Sequence, residues 1–378
     1  MSRAAGVSLQ LPDGSGGWIQ HTLGQAMTYR PPRAVPRCRT AFAAAHVVAS
    51  SPNSIDWELT MAYRRHIWSY GLGVAEAMDT AQRGMGLEWP AARELMVRSL
   101  AEARAAKGEI VCGAATDQLG EPLRRPLEEI IDAYQEQCSL IEDAGGRVVM
   151  MASRHLASSA TDREDYERVY REVLAGLHRP AIIHWLGDMF DPALAGYWGV
   201  QDLSQAADVC LAILSFNREK VDGVKVSLLD AARERSLRGR LPAGVRMYTG
   251  DDFNYPELVR GDGTHHSHAL LGILDAIAPA FSAALVAADA GDWDTYERTL
   301  APTVKLSRLI FSPPTYHYKA GIVFLAWLNG HQQRFRLLGG LESARPVEHY
   351  GRLLVLADRA GLLADPELAA ARMRSLLE

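Results

Sequence analysis

A (β/α)8 barrel followed by a C-terminal helical extension is the fold this sequence predicts, on three observations. Eight short apolar runs recur at regular spacing: Thr40–Ala49, Gly73–Met78, Glu109–Ala114, Arg147–Met151, Ala181–Trp185, Val221–Val226, Val245–Thr249 and Ala269–Leu274. The runs are continuously apolar rather than alternating, which suits strands of a parallel sheet buried on both faces. Longer amphipathic stretches separate them, and after the eighth run only helical patterns remain. An α/β barrel takes ~250 residues, which leaves a helical tail in a chain of 378. An open doubly wound sheet is the alternative with the same alternation.

The elements follow in order. Val7–Leu11 and Trp18–Thr22 read as a short hairpin around the turn Pro12-Asp13-Gly14-Ser15-Gly16-Gly17. Ser54-Ile55-Asp56-Trp57-Glu58 opens the first helix, with Ser54 as the expected cap. Trp89-Pro90 opens the second, with proline where its missing N–H costs nothing. Arg163–Leu177 and Leu203–Phe216 are further barrel helices. Beyond the runs, Pro279–Ala290, Trp293–Phe311, Tyr316–Leu328, Val347–Ala360 and Pro366–Leu377 read as helices. The expected organisation is therefore an N-terminal hairpin or arm over 1–36, a barrel over 37–290 and a helical extension over 291–378.

Composition removes several functions. Hydrophobic residues are 48% of the chain, and the net charge is −5 with no basic block, so no nucleic-acid partner is expected. The apolar stretch Ala269–Ala288 is interrupted by Gly272, Asp275 and Pro279, so no membrane association is expected. Cys38, Cys112, Cys138 and Cys210 are too few and too scattered for a disulfide framework, and no CxxC pair points to a zinc ribbon. MSRAAGVSLQLPDGSGGW lacks the apolar stretch of a secretory signal, and a cytoplasmic protein is expected.

The sharpest chemical signal is Lys225, set inside the apolar sixth run Val221–Ser227. If it points into a barrel, desolvation disfavours the ammonium and lowers its pKa. A pKa near ~7–8 makes an amine that attacks a carbonyl carbon. The alternative is a lysine that snorkels, or pairs with a carboxylate such as Asp251.

Gly223-Val224-Lys225-Val226-Ser227-Leu228-Leu229-Asp230 resembles the Schiff-base strand, G-[IV]-K-[DE]-[AS]-S, of the dihydrodipicolinate synthase/N-acetylneuraminate lyase superfamily of class I aldolases. Tyr248-Thr249-Gly250-Asp251-Asp252 resembles that family's S-G-D-D segment after the seventh strand. Gly272–Pro279 is similar to its eighth strand and N-[VI]-[AFV]-P turn, and Pro314–Ala320 to its N-P-x-P-x-K-x-A segment. Ser54-Ile55-Asp56-Trp57 resembles its first helix start, so the likeness spans about Arg37 to Gly330. The resemblance implies a TIM barrel with a helical tail, an aldolase-type lyase acting through a Schiff base on Lys225, no cofactor, and a homo-oligomer. The substrate class it implies is a small-molecule carbonyl compound, a keto acid or keto-sugar.

The departures point to a divergent branch. The family's G-T-T-G-E after the second strand is here Met78-Asp79-Thr80-Ala81-Gln82-Arg83, with one threonine lost and a carboxylate added. Its P-Y-Y-N after the fourth is Met151-Ala152-Ser153-Arg154-His155, without tyrosine. Its Y-N-x-P-x-[RS]-[TS]-G after the fifth is His184-Trp185-Leu186-Gly187-Asp188-Met189. The pyruvate-binding set is thus altered, and pyruvate is expected to bind poorly.

The residues expected at the barrel mouth follow. Lys225, Asp251 and His184 are the expected catalytic set, and Asp79, Thr80, Arg154, His155, Asp188 and Asp252 the expected substrate contacts, with no metal. Glu76 and Asp117 fall at the same strand ends. Carboxylates and histidines together allow an acid/base pair in place of the missing tyrosine. They also admit an O/N metal site, hence a metal-dependent sugar isomerase or epimerase. A barrel that binds a ligand without turnover is the third reading. His265-His266-Ser267-His268 precedes the eighth strand and belongs on the opposite face, and His46 reads as a satisfied core histidine. Trp185 and Trp198 suit either sugar stacking or loop packing.

Overall fold

The computed structural model describes residues 6–12 and 15–378. The chain divides into two compact units, one of Arg39–Ala45 and Gly73–Gly272, the other of the chain up to Cys38, His46–Leu72 and Ile273–Glu378.

Each predicted run supplies one strand of the first unit. These are β1 (Ala41–Ala44), β2 (Gly73–Glu76), β3 (Ile110–Ala114), β4 (Val148–Met150), β5 (Ala181–Leu186), β6 (Val221–Ser227), β7 (Arg246–Thr249) and β8 (His268–Leu271). They pair in parallel and close in the order β6-β7-β8-β1-β2-β3-β4-β5. The fold is therefore the (β/α)8 barrel, not the open sheet. Helices alternate with the strands, among them Trp89–Ala106, Leu127–Asp143, Arg163–Gly176, Leu203–Phe216 and Ala231–Arg238. Asp162, Asp202 and Asp230 cap three of them, each carboxylate accepting from N–H groups of the first turn.

Phe42, Ala75, Val111, Val149, Ile182, Tyr248 and Leu270 form a cluster that every strand joins except β6. The matching positions of β6 hold Gly223, which lies under the Tyr248 ring, and Lys225, in register with Tyr248. Phe42 and Tyr248 stand 6.4 Å apart between ring centroids. Each needs a glycine on a neighbouring strand. A Cβ on Gly73 would come within 2.4 Å of the Phe42 ring, and one on Gly223 within 2.7 Å of Tyr248.

In the second unit, Ser8–Pro12 and Trp18–Thr22 pair antiparallel as the expected hairpin. Asp13 and Gly14 of its turn, and Met1–Ala5 of the N-terminal reading, lie outside the described residues. The first helix, Trp57–Ser69, is capped by Asp56, which accepts from Leu59 N at 3.0 Å. Ser54, the expected cap, instead lies in a two-residue strand paired with Ala49–Ser51. Both residue types cap, and the one directly before the first turn takes the role.

The helix expected to start at Pro279 begins earlier, spanning Ile273–Asp289 with a break at Ile277 (φ −118°, ψ 16°). Pro279 lacks an N–H and its ring crowds the carbonyl four residues back, so the turn before it leaves the helical path instead of ending it. Trp293–Ile310, Tyr318–Leu328, Val347–Arg359 and Pro366–Leu377 complete the C-terminal helices.

His46 is held on one side only: Nδ1 is paired, while the buried Nε2 has no hydrogen-bond partner among the described residues, so the expected satisfied core histidine is satisfied at one nitrogen and not at the other. Its backbone N and Nδ1 both reach Asp275 at 2.8 Å, and Tyr63 Oη donates to the same carboxylate at 2.9 Å. Burial alone would raise the Asp275 carboxyl, but His46 and Tyr63 outweigh it and hold it below the usual carboxylate range. Among the described residues no helix is long and apolar enough to cross a membrane.

Gly223→Ala tests the barrel packing. The added Cβ would also stand 2.5 Å from the Arg246 carbonyl oxygen, so the variant is expected to lose about 1–3 kcal/mol by overpacking. Urea denaturation should give a lower midpoint at unchanged slope, and an unchanged midpoint would contradict the packing described.

Candidate active site at the C-terminal ends of the strands

Backbone conformation first sets the mouth apart. Ala77 (φ 53°) and Gln82 (φ 68°) flank the turn Asp79–Ala81 after β2, and Leu229 (φ 54°) follows β6. Non-glycine residues held there cost of order 1–3 kcal/mol each, and such strain gathers at functional sites.

Lys225 is buried, 6% exposed, on the inward side of β6. Burial brings its pKa down to about 8, against the opposing pull of Asp252 and Asp79. An ammonium at its ordinary pKa is neutral to about one part in 2,000 at pH 7, whereas a pKa near 8 leaves roughly a tenth as free amine. The buried His184 of β5 stands in register with Lys225. Burial, then the nearby Lys225, hold its imidazole well below its ordinary pKa, so it is neutral near pH 7.

The Asp251-Asp252 pair splits. Asp251 builds the loop: Oδ1 accepts from Phe253 N at 2.9 Å and Asn254 N at 3.0 Å, and Oδ2 from Asn254 Nδ2 at 2.8 Å. Asp252 is the member whose charge acts on Lys225. Glu234, on the helix Ala231–Arg238, was not anticipated. Thr249 and Ser267 donate to it at 2.8 and 2.7 Å, and burial pushes its carboxyl up to about 8. Thr249 Oγ1 also accepts from Asp251 N at 3.1 Å, so this buried cluster steadies the Asp251 loop.

A cavity of about 250 Å³ opens among the loops after β2, β3, β4 and β5. Asp79, Arg154 and His155 line it, whereas Thr80 is buried in the Asp79–Ala81 turn and does not. Asp188 is exposed and lines a separate cavity of about 180 Å³ with Trp185 and Tyr197. Lys225, His184 and Asp252 form an electrostatic group that is not part of the cavity lining; Asp79, which also acts on Lys225, is the member shared with the wall that holds Arg154 and His155, and Asp188 stands aside.

His155 has both nitrogens engaged. The Gly120 carbonyl can only accept, so His155 Nε2 donates to it at 2.8 Å. Nδ1 lies 2.9 Å from Thr116 Oγ1, which is itself 2.6 Å from Ser153 Oγ, and Ser153 Oγ accepts from Leu156 N at 3.0 Å. The ring therefore ties the β3 loop to the helix Arg154–Ser159.

Arg154 Nε donates to Asp191 Oδ2 at 2.6 Å. Arg83 is bound to both oxygens of Asp117, and also donates to the Gly113 carbonyl at 2.7 Å. The lining carries the carboxylates of Asp79, Glu88, Asp117, Glu121 and Asp191 against the guanidinium groups of Arg83 and Arg154, so carboxylates are in excess on it. Sequence reasoning missed Arg83, Asp191 and Ser227; the Asp191-Pro192 dipeptide, a helix-start signal, was the available hint for one of them. Trp185 and Trp198 are buried against each other and, for Trp198, against Tyr166, Tyr170 and Tyr197, so they pack rather than offer a stacking face. Among the described residues no group of three or more His, Cys, Asp or Glu side chains has an arrangement that could hold a metal ion.

Solved structures share this fold. YagE, a prophage protein of the dihydrodipicolinic acid synthase family from E. coli K12 solved in complex with pyruvate, is 15% identical with a TM-score of 0.67, over 86% of this chain and 99% of its own. Dihydrodipicolinate synthase from Aquifex aeolicus is 14% identical with a TM-score of 0.65, over 86% and 99%. The Acinetobacter baumannii synthase complexed with pyruvate is 15% identical with a TM-score of 0.64, over 86% and 100%. At these identities the likeness is one of fold. None of the curated proteins matches the chain in sequence. Residues 9–378 match the model of a family described as "Protein of unknown function (DUF993)", and the chain belongs to that family.

Proposed function

We propose that this protein is a class I, Schiff-base aldolase or lyase whose substrate is a neutral hydroxylated ketone of keto-sugar type. One observation carries the reading: a buried lysine inside the barrel with a pKa near 8, beside a neutral histidine and two carboxylates. The free amine of Lys225 adds to the substrate carbonyl carbon as the carbonyl π pair moves to oxygen. Proton transfer from nitrogen to oxygen gives a carbinolamine, whose hydroxyl takes up a proton from solvent and leaves as water as the nitrogen lone pair forms the iminium. The iminium then accepts the electron pair released when the adjacent carbon–carbon bond breaks. Asp252 and Asp79 favour the cationic iminium as they favour the ammonium.

The charge of the cavity selects among carbonyl compounds. Two of the neighbours were solved with pyruvate, but here Ala81 and Asp79 stand in the turn after β2, and the cavity keeps carboxylates in excess. A substrate carboxylate would meet like charge, whereas hydroxyl groups would find acceptors. Action in the cytoplasm, on a soluble metabolite, fits the same reading.

Borohydride reduction with a panel of keto-sugars is expected to trap an adduct on the peptide holding Val224-Lys225-Val226. Lys225→Ala and Lys225→Arg should both abolish trapping while the circular-dichroism spectrum stays unchanged, because guanidinium remains protonated and cannot attack. The initial trapping rate should climb about tenfold per pH unit below the lysine pKa of about 8 and level off above it. A rate indifferent to pH between 6 and 9 (about two decades of free amine, nearly all of them below the pKa) would contradict an amine nucleophile of that pKa.

Pyruvate should bind weakly. Calorimetric titration is expected to give no site tighter than about millimolar, near −4 kcal/mol, while Asp79→Thr should strengthen pyruvate binding by removing the like charge. Micromolar affinity in the unaltered protein would overturn the assignment of a neutral substrate.

A further inference from the structure

Lys225 and Ser227 occupy alternate positions of β6 and therefore face the same side of the strand. His184 Nε2 lies 3.2 Å from Ser227 Oγ. The other ring nitrogen, Nδ1, is buried and has no hydrogen-bond partner among the described residues. Gly250, directly after β7, makes the room for this pair. A Cβ there would stand 2.1 Å from Ser227 Oγ and 3.0 Å from Lys225 Cε, so the hydroxyl and the lysine stem converge on the space that the glycine leaves. Because the imidazole is neutral, Ser227 can donate to Nε2 while Nδ1 carries the ring proton.

These contacts answer a gap in the site. The strand-β4 segment Met151-Ala152-Ser153 has no tyrosine, and His155 beyond it has both nitrogens engaged. Asp251 is committed to its own loop. A hydroxyl bound to a neutral imidazole, beside the lysine, has the acid/base capacity that imine chemistry needs.

We infer that Ser227 and His184 act together as the proton relay serving the imine on Lys225. The inference rests on the Schiff-base reading. In the iminium state Ser227 Oγ takes a proton from the substrate as its own proton passes to His184 Nε2. When the proton leaves the carbon next to the iminium carbon, the C–H pair becomes the enamine double bond and the iminium π pair moves onto nitrogen. When it leaves a hydroxyl one carbon further out, the O–H pair becomes the carbonyl of the departing aldehyde and the broken C–C pair forms the enamine. In both cases one positive charge moves from the iminium to the imidazolium, and no other reactant is required. Return of the proton along the same path regenerates the starting groups.

The test uses dihydroxyacetone as the probe, in deuterium oxide. The unaltered protein is expected to give a borohydride-trapped adduct on Lys225 and to exchange the probe's carbon-bound hydrogens for deuterium, followed by NMR. Ser227→Ala should keep the adduct while exchange falls by about 100-fold or more. His184→Gln should behave alike, and Ser227→Cys should recover part of the exchange with an altered pH profile. Thermal melts of each variant report folding, and should Ser227→Ala not fold, His184→Gln and Ser227→Cys carry the same comparison. An adduct with wild-type exchange in the variants, or an adduct without exchange in the unaltered protein, overturns the relay alone. No adduct in the unaltered protein overturns the Schiff-base reading and the relay with it.

Discussion

Burying an ammonium inside a barrel is the constraint around which the mouth of this barrel is arranged. Shifting a lysine pKa from its ordinary value to about 8 corresponds to about 3 kcal/mol of disfavoured charge. Nothing on β6 relieves that cost, because the strand's other inward positions are Gly223 and Ser227. Relief comes from two carboxylates on other loops, Asp252 after β7 and Asp79 after β2. With them the amine is neither locked as a cation nor stripped of charge. A lysine paired tightly to a carboxylate would be a poor nucleophile, and one without any opposing charge would form an iminium with no electrostatic support.

The packing beneath explains how the lysine is placed. Phe42 and Tyr248 fill the barrel interior, and their rings demand glycine at Gly73 and Gly223. Tyr248 is in register with Lys225, so an aromatic ring and the lysine stem lie side by side in adjacent strands. The ring's hydroxyl donates to Asp222 Oδ2 at 2.7 Å, at the start of β6. The polar end of Tyr248 is thereby satisfied without drawing on the groups around the amine. A side chain held by packing on a strand is located more closely than one on a loop, which suits a nucleophile.

The architecture was legible in the sequence because burial on both faces writes each barrel strand as a short apolar run. Register and loop geometry leave no such mark. Ser54 and Asp56 are both good caps, and only the path of the chain decides between them. Pro279 reads as a helix start, yet the preceding turn is already helical and bends to accommodate it. Lys225 was legible for the same reason as the strands: a charged residue in an apolar run is conspicuous. Ser227 was not, since a hydroxyl at a strand end has many ordinary explanations.

Residue type did not indicate which polar groups are committed to architecture. Asp251 and Asp252 are chemically identical neighbours, but one accepts three hydrogen bonds from its own loop and the other acts on the lysine. His155 and His184 make the same contrast. His155 bridges Thr116 and the Gly120 carbonyl with both nitrogens. His184 has one partner at 3.2 Å and a buried nitrogen with none among the described residues, so its proton inventory can change without breaking a framework contact. A buried ring with an unpaired nitrogen is costly to keep. The barrel keeps this one beside Lys225, where the proposed Schiff-base chemistry would need a proton acceptor.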